Sequence, residues 1–542
     1  MKSFNWSNPY PTVRIPLFAR NVVSTSHPLA AQAGLRMLLK GGTAVDAAIA
    51  AAAAITLVEP VSCGLGGDAF AIVWDGKSLH GLNSSGYAPQ AWSVDYFKNK
   101  YGVDAQGIAK APKRGVDAIT IPGVVAGWAA LHEKFGKLPF ADLMEPAIEI
   151  AERGYAVPPV VAQKWAAAVP ELKDQPGFAH AFMPNGRAPT VGERFQFKDA
   201  VNTLRRIGAT RGRDLYEGET AEKIIAWIQQ HGGVHTLDDL RSYQPEWVKP
   251  ISKNYRGYTL HEIPPNGQGI SALMALGILD QFDLQSLPVD SVASQHLQIE
   301  AMKLAMADLY RYVSDPRSME VTPEQMLHPD YLASRAKLID MKKATHFPAG
   351  LPSTGGTIYL TAADENGMMI SFIQSNYMGF GSGVVVPGTG VSLQNRGVGF
   401  SMNPNSPNAV AGRKKPFHTI IPGFLTRADG VPVMSFGVMG GDIQPQGHVQ
   451  TVVRMLDYDQ QPQAACCAPR WKLNRDFTLD VESTMRADTI TGLSAMGHTL
   501  KTIEDPYMDF GSGQFIWRLS ENREDGYVVA SDSRRDGQAV GF

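Results

Sequence analysis

The chain has 542 residues, with 50 Lys plus Arg against 52 Asp plus Glu, so its formal charge is −2. That balance excludes a non-specific nucleic-acid binder, which needs a basic stripe to neutralise phosphates; the densest basic cluster is only Arg413-Lys414-Lys415. An apolar share of 44% with 53 Gly and 36 Pro excludes disorder, collagen and coiled coil, and a prior of about 150 residues per domain predicts three or four domains.

Pro9, Pro11 and Arg14 stand where a signal peptide needs an unbroken apolar run. Leu29 to Leu39 and Ala44 to Val58 read as helices separated by Gly41-Gly42, with Thr43 capping the second. The alanine-rich stretch from Ala47 to Val58 is too short and too weakly apolar to span a bilayer. A soluble, cytoplasmic protein is expected. Gly64-Leu65-Gly66-Gly67 lacks the spacing and setting of a dinucleotide loop. Ala69 to Trp74 reads as a strand ending in the turn Asp75-Gly76. Gly123 to Phe135, Phe140 to Arg153, Gly218 to His231 and Gln295 to Tyr312 follow as helices, the last with a Met-rich core face at Met302 and Met306. Lys342 to Pro352 reads as an aperiodic tether. The chain then turns β-like: Thr357 to Ala363, a hairpin turn at Glu365-Asn366-Gly367, Met368 to Ile373, and later Val431 to Gly437. Cys63, Cys466 and Cys467 form neither a disulfide framework nor a CxxC metal pair, and no metal or organic cofactor is expected.

The junction Gly355-Gly356-Thr357 bears chemistry. On pattern alone it is an ordinary glycine loop entering a strand. Glycine also tolerates strained backbone, so the Gly356–Thr357 peptide could be presented to the Thr357 hydroxyl and broken by an N→O acyl shift. The freed amine could then serve as base for its own hydroxyl.

Thr357, Thr361 and Asp364 fit a Thr-x-x-x-(Ser/Thr)-x-x-Asp pattern, and the segment resembles the γ-glutamyltransferase family of N-terminal-nucleophile hydrolases. Val22 to Ala50, Val58 to Phe70, Ile121 to Trp128, Leu138 to Tyr155, Asp214 to Ile224 and Gly437 to Gln450 are similar to family segments as well. The resemblance implies an α+β fold, the four-layer αββα sandwich, formed jointly by a large subunit, 1–356, and a small one, 357–542, from one precursor. It implies Thr357 as nucleophile and Gly440-Gly441 as the pair whose N–H groups hold the oxyanion. Ser375 and Asn376 fall near the residues that support nucleophile and substrate; which of Gln374, Ser375, Asn376 and Tyr377 matches is left open by the spacing. His418 and Thr419 stand where typical members carry two substrate-binding serines.

Two departures bear on the substrate. Ser85, in SSGYAP, occupies the position of the Arg that holds a glutamate α-carboxylate, and Gly399 that of the Asp that holds its amine. Arg396 is new in this loop and is a candidate grip for a carboxylate placed differently. The reading that results is a self-processing amidohydrolase or acyltransferase acting on a γ-glutamyl or similar small anionic acyl amide. The alternative is an oxamate amidohydrolase-like or acylase-like enzyme without γ-glutamyl activity, and the remaining one a non-catalytic scaffold. Partners are a small-molecule amide and the two subunits themselves, with neither nucleic acid nor membrane; a homo-oligomer stays open.

Overall fold

The computed structural model describes residues 12–345, 356–505 and 510–542. The expected helices form where the sequence places them. The helix Ala44–Val58 (α1) opens on a capping box in which Thr43 and Asp46 satisfy each other's backbone N–H groups. All of its residues are buried. A helix apolar on every side has to be an interior one, and α1 lies between a sheet and the helices Pro28–Leu39, Val124–Phe135 and Phe140–Arg153.

The strands form two seven-stranded sheets. In the first, the order is Gln538–Gly541, Val22–Thr25, Gly356–Ala363, Met369–Tyr377, Asp68–Trp74, Leu79–Ser84 and Glu246–Val248. We label three of these β1 (Asp68–Trp74), β2 (Gly356–Ala363) and β3 (Met369–Tyr377). The second runs Leu17–Ala19, Tyr527–Ser531, Ser512–Arg518, Pro432–Met439 (β4), Gly423–Arg427, Tyr258–Glu262 and Ile251–Tyr255. One apolar core joins the first sheet to α1 and its neighbours; another joins the second sheet to Ile270–Leu279, Val292–Tyr312 and Gln444–Leu456 (α2). Helices, sheet, sheet, helices: this is the αββα sandwich.

The β character that the sequence gathers after residue 357 is shared in the fold. Hairpin β2–β3 sits between Val22–Thr25 and β1, both from the first 74 residues. Alternation along β2 sends Ile358, Leu360 and Ala362 towards α1, and Thr357, Tyr359 and Thr361 towards the second sheet. Thr361 Oγ1 meets Ser435 Oγ of β4 at 2.7 Å, and Tyr359 OH meets Ser371 Oγ at 2.7 Å. The predicted tether is described only as far as Thr345; 346–352 lie outside the described residues, as does Gly355.

Candidate active site

Thr357 is the first inward-facing residue of β2, at the end of the row between the sheets. It is 2% exposed. Its Oγ1 lies 3.3 Å from Ser375 Oγ on β3 and 3.4 Å from Gln444 Nε2 at the start of α2. Gln444 cannot turn over without loss, because its Oε1 accepts the Ile421 N–H at 2.9 Å. The amide nitrogen is thereby fixed towards Thr357.

The open choice among residues 374 to 377 is resolved by strand alternation. Gln374 faces α1 and donates to Ala52 O. Ser375 faces Thr357. The Asn376 side chain donates to Ser392 Oγ at 3.1 Å and packs on Gly64 and Gly67, where an added Cβ would come within 2.9 Å of it. The structure therefore does not bring Asn376 to Thr357. The Gly64–Gly67 run is explained by the same close packing. Tyr377, at φ 76°, ends β3 and lays its ring against Arg396, whose Cζ is 4.3 Å from the ring centroid.

Gly440 and Gly441 form the turn between β4 and α2. Gly440 has φ 132°, and a Cβ there would lie 2.9 Å from Gly511 Cα, so only glycine fits. Gly441 has φ 73°, and its carbonyl accepts Gln268 Nε2 at 2.9 Å, which fixes the peptide. The turn leads into the N-terminus of α2, where backbone N–H groups and the helix dipole favour negative charge. The next residue, Asp442, is held by Arg475 through two contacts, at 2.7 and 2.9 Å.

Arg396 and Asp68 are both fully buried. Arg396 Nη1 donates to Thr419 Oγ1 at 2.9 Å, and its Nε lies 3.5 Å from Asp68 Oδ2. Its Nη2 is buried and has no hydrogen-bond partner. Asp68 also accepts the Gly86 N–H at 3.0 Å and contacts His418 Nε2 at 3.1 Å. His418 Nδ1 accepts the Ile420 N–H, so the neutral ring carries its proton on Nε2 and donates to Asp68. Burial holds His418 well below the ordinary histidine range. Burial likewise pushes Asp68 up to about 7, although Arg396 opposes it, and brings Arg396 down to about 10.

The two departures have a spatial account. Ser85 is buried and donates to Asn83 Oδ1 at 2.8 Å, in a network that reaches His418 through Asn266. Gly399 has no room for a side chain, because Phe417 O would lie 2.5 Å from its Cβ. Sequence reasoning missed Asp68, Gln268, Gln444 and the Asp442–Arg475 pair. The one signal available was a carboxylate in the otherwise small and apolar run GLGGDAF.

Among the described residues, His296, Glu300 and His498 are the group whose ligand atoms could converge on a metal. Lys303 Nζ already lies 2.8 Å from Glu300 Oε1 and 3.2 Å from His498 Nδ1, so an ammonium occupies that place. No helix among the described residues is long and apolar enough to cross a membrane.

The family model for gamma-glutamyltranspeptidase matches residues 30–542. The chain is 35% identical over 534 residues to a glutathione hydrolase-like YwrD proenzyme of Bacillus subtilis, covering 96% of this chain and 98% of that one. It is 33% identical to an oxamate amidohydrolase proenzyme of Klebsiella pneumoniae, covering 95% and 97%. The solved cephalosporin acylase from Bacillus halodurans superposes with a TM-score of 0.93 at 45% identity, over 100% of this chain and 99% of that one.

Proposed function

The chain belongs to the gamma-glutamyltranspeptidase family, and from that premise we propose that it is an amidohydrolase, made as one precursor and divided by its own Thr357 into 1–356 and 357–542. The observation that carries this is the setting of Thr357 Oγ1, 3.3 Å from Ser375 and 3.4 Å from an oriented Gln444. In maturation, Oγ1 attacks the Gly356 carbonyl and its proton passes to the Thr357 nitrogen, the C–N bond breaks to free the Thr357 amine and leave Gly356 as an ester on Oγ1, and water hydrolyses that ester to the Gly356 carboxylate and the free hydroxyl. In turnover that amine takes the Oγ1 proton as Oγ1 attacks the substrate carbonyl. The Gly440 and Gly441 N–H groups stabilise the oxyanion, the amine product departs with the proton, and water releases the acyl group.

The site favours a small acyl group bearing a carboxylate over a γ-glutamyl group. Ser85 and Gly399 offer no charge to a glutamate's α-carboxylate and amine, whereas Arg396 is buried with an unpartnered Nη2 beside Thr419. The names of the Klebsiella relative and the Bacillus halodurans structure support amides outside the glutathione class. The unbridged cysteines support a reducing, cytoplasmic setting.

The test is a substrate screen on the purified protein with Thr357→Ala as control. Ammonia release from oxamate or a homologous monoamide, at least about a thousandfold above the control, is expected, with little release of p-nitroaniline from γ-glutamyl-p-nitroanilide. A single full-length band on denaturing gels of both proteins, with no turnover, would leave the scaffold reading standing. Efficient γ-glutamyl hydrolysis would overturn the substrate class.

A further inference from the structure

Arg396 and Asp68 have a relationship that carboxylate binding alone does not require. An arginine set only to receive a carboxylate needs no permanent anion. Here one is built in, and it lies 3.5 Å from a single nitrogen, Nε, without a hydrogen bond to it and not in the two-nitrogen fork that gives the strongest pairing. Nη1 is taken by Thr419, the guanidinium face by Tyr377, and Nη2 by nothing. A buried, charged donor without an acceptor is costly, and a ligand oxygen relieves that cost. A chain of contacts also links the guanidinium to Thr357. Tyr377 stacks on Arg396 and lies two residues beyond Ser375, about 7 Å along a strand, and Ser375 touches the nucleophile.

We propose that Asp68 is the internal counter-anion of a carboxylate site whose donor is Arg396 Nη2, and that it sets the enzyme's affinity for anionic amides according to its own protonation. With Asp68 ionised, Arg396 is neutralised and an incoming carboxylate meets a like charge. With Asp68 protonated, the guanidinium is uncompensated and the same carboxylate binds. This rests on the amidohydrolase reading and adds to it a pH-gated selectivity for compact monoamides of dicarboxylic acids.

The groups around Asp68 permit that assignment. Arg396 stays charged throughout the neutral range, since burial lowers it only to about 10. His418 stays neutral, and so do Tyr216 and Tyr243, which burial raises. Lys415 is engaged by Glu246 at 2.9 Å, and Asp442, which acts on Arg396 from the turn before α2, is engaged by Arg475. Asp68, raised to about 7, is the member that changes charge near neutrality.

KM for oxamate and malonamate is measured from pH 5.5 to 8.5 in wild type, Asp68→Asn and Arg396→Met, beside a neutral amide. In wild type, KM for the anionic amides is expected to rise towards tenfold per pH unit above about 7, while that for the neutral amide stays flat. Asp68→Asn should hold KM near its low-pH value across the range, and Arg396→Met should raise it at least tenfold at pH 6. An Asp68→Asn profile superimposable on wild type, or an unchanged KM in Arg396→Met, overturns the proposal. If none of these amides is turned over, the amidohydrolase reading fails separately, and calorimetric titration of malonate into wild type and Asp68→Asn decides the gate. Tighter malonate binding at pH 6 than at pH 8, with the difference lost in Asp68→Asn, supports it; equal binding at both pH values overturns it.

Discussion

Thr357 owes its setting to a residue remote in sequence. The carboxamide of Gln444 is clamped at its oxygen by the Ile421 N–H, so its nitrogen presents a fixed donor to Oγ1. Such a donor orients the hydroxyl without taking its proton, a contribution made as the bond forms. Gln444→Ala is expected to lower kcat by roughly 10- to 100-fold with KM changed less than about threefold; steady-state kinetics on the matured enzyme check this. An equal loss in KM would mean that Gln444 binds substrate instead. Thr357 and Gly440-Gly441 were singled out in the sequence by resemblance to family segments, since on pattern alone each is an ordinary glycine loop or turn. Gln444 was not, because a glutamine at a helix N-terminus has no pattern of its own.

At the scale of elements, Thr357 and the Gly440-Gly441 turn belong to facing sheets, so the spacing between β2 and β4 is part of the proposed site. Gly437 of β4 sets that spacing. A Cβ there would fall 2.4 Å from the ring of Tyr359, which is fully buried and tied through its hydroxyl to Ser371. Overpacking of this kind costs about 1–3 kcal/mol. Gly437→Ala should therefore lower the urea midpoint accordingly and also reduce kcat, since Tyr359 is two residues from Thr357 on the same strand face. Unchanged stability would show that the sheets part without resistance. The hairpin of β2 and β3 was readable from alternation and its Glu-Asn-Gly turn. Its neighbours were not, because strand pairing depends on contacts hundreds of residues apart.

For the molecule as a whole, burial of neutral histidines makes acid a denaturant. His27 caps the helix Pro28–Leu39 by accepting the Leu29 N–H at 3.2 Å, and burial lowers it from the ordinary 6.5 to about 3. Between those values the unfolded chain binds a proton that the folded chain refuses. Stability contributed by the neutral ring is thus complete above about 6.5 and lost as pH falls, by up to about 1.4 kcal/mol per unit. Burial lowers His235 and His418 in the same sense. The raised Asp68 and Glu262 act in the opposite sense, since their folded forms hold protons more tightly. His27→Asn keeps a capping acceptor and removes the titration. Its loss of stability from pH 6.5 to 4.5, measured by urea unfolding, should be smaller than that of wild type by about 2–3 kcal/mol. Parallel acid slopes would exclude His27 as a source.

The length prior of three or four domains does not describe this chain, whose sheets are each assembled from both ends of the sequence. What the sequence determined by itself is what local chemistry decides, the helices with their caps and the hairpin turn, and resemblance added the glycine-flanked threonine, the Gly440-Gly441 pair and the loss of charge at Ser85 and Gly399. Tertiary structure alone decided that Ser375 and not Asn376 faces Thr357, and that Asp68 pairs with Arg396 across 328 positions of sequence. The reason is physical. A cap or a turn is satisfied by neighbours within a few residues, whereas a buried charge is satisfied by whatever the packed sheets bring to it.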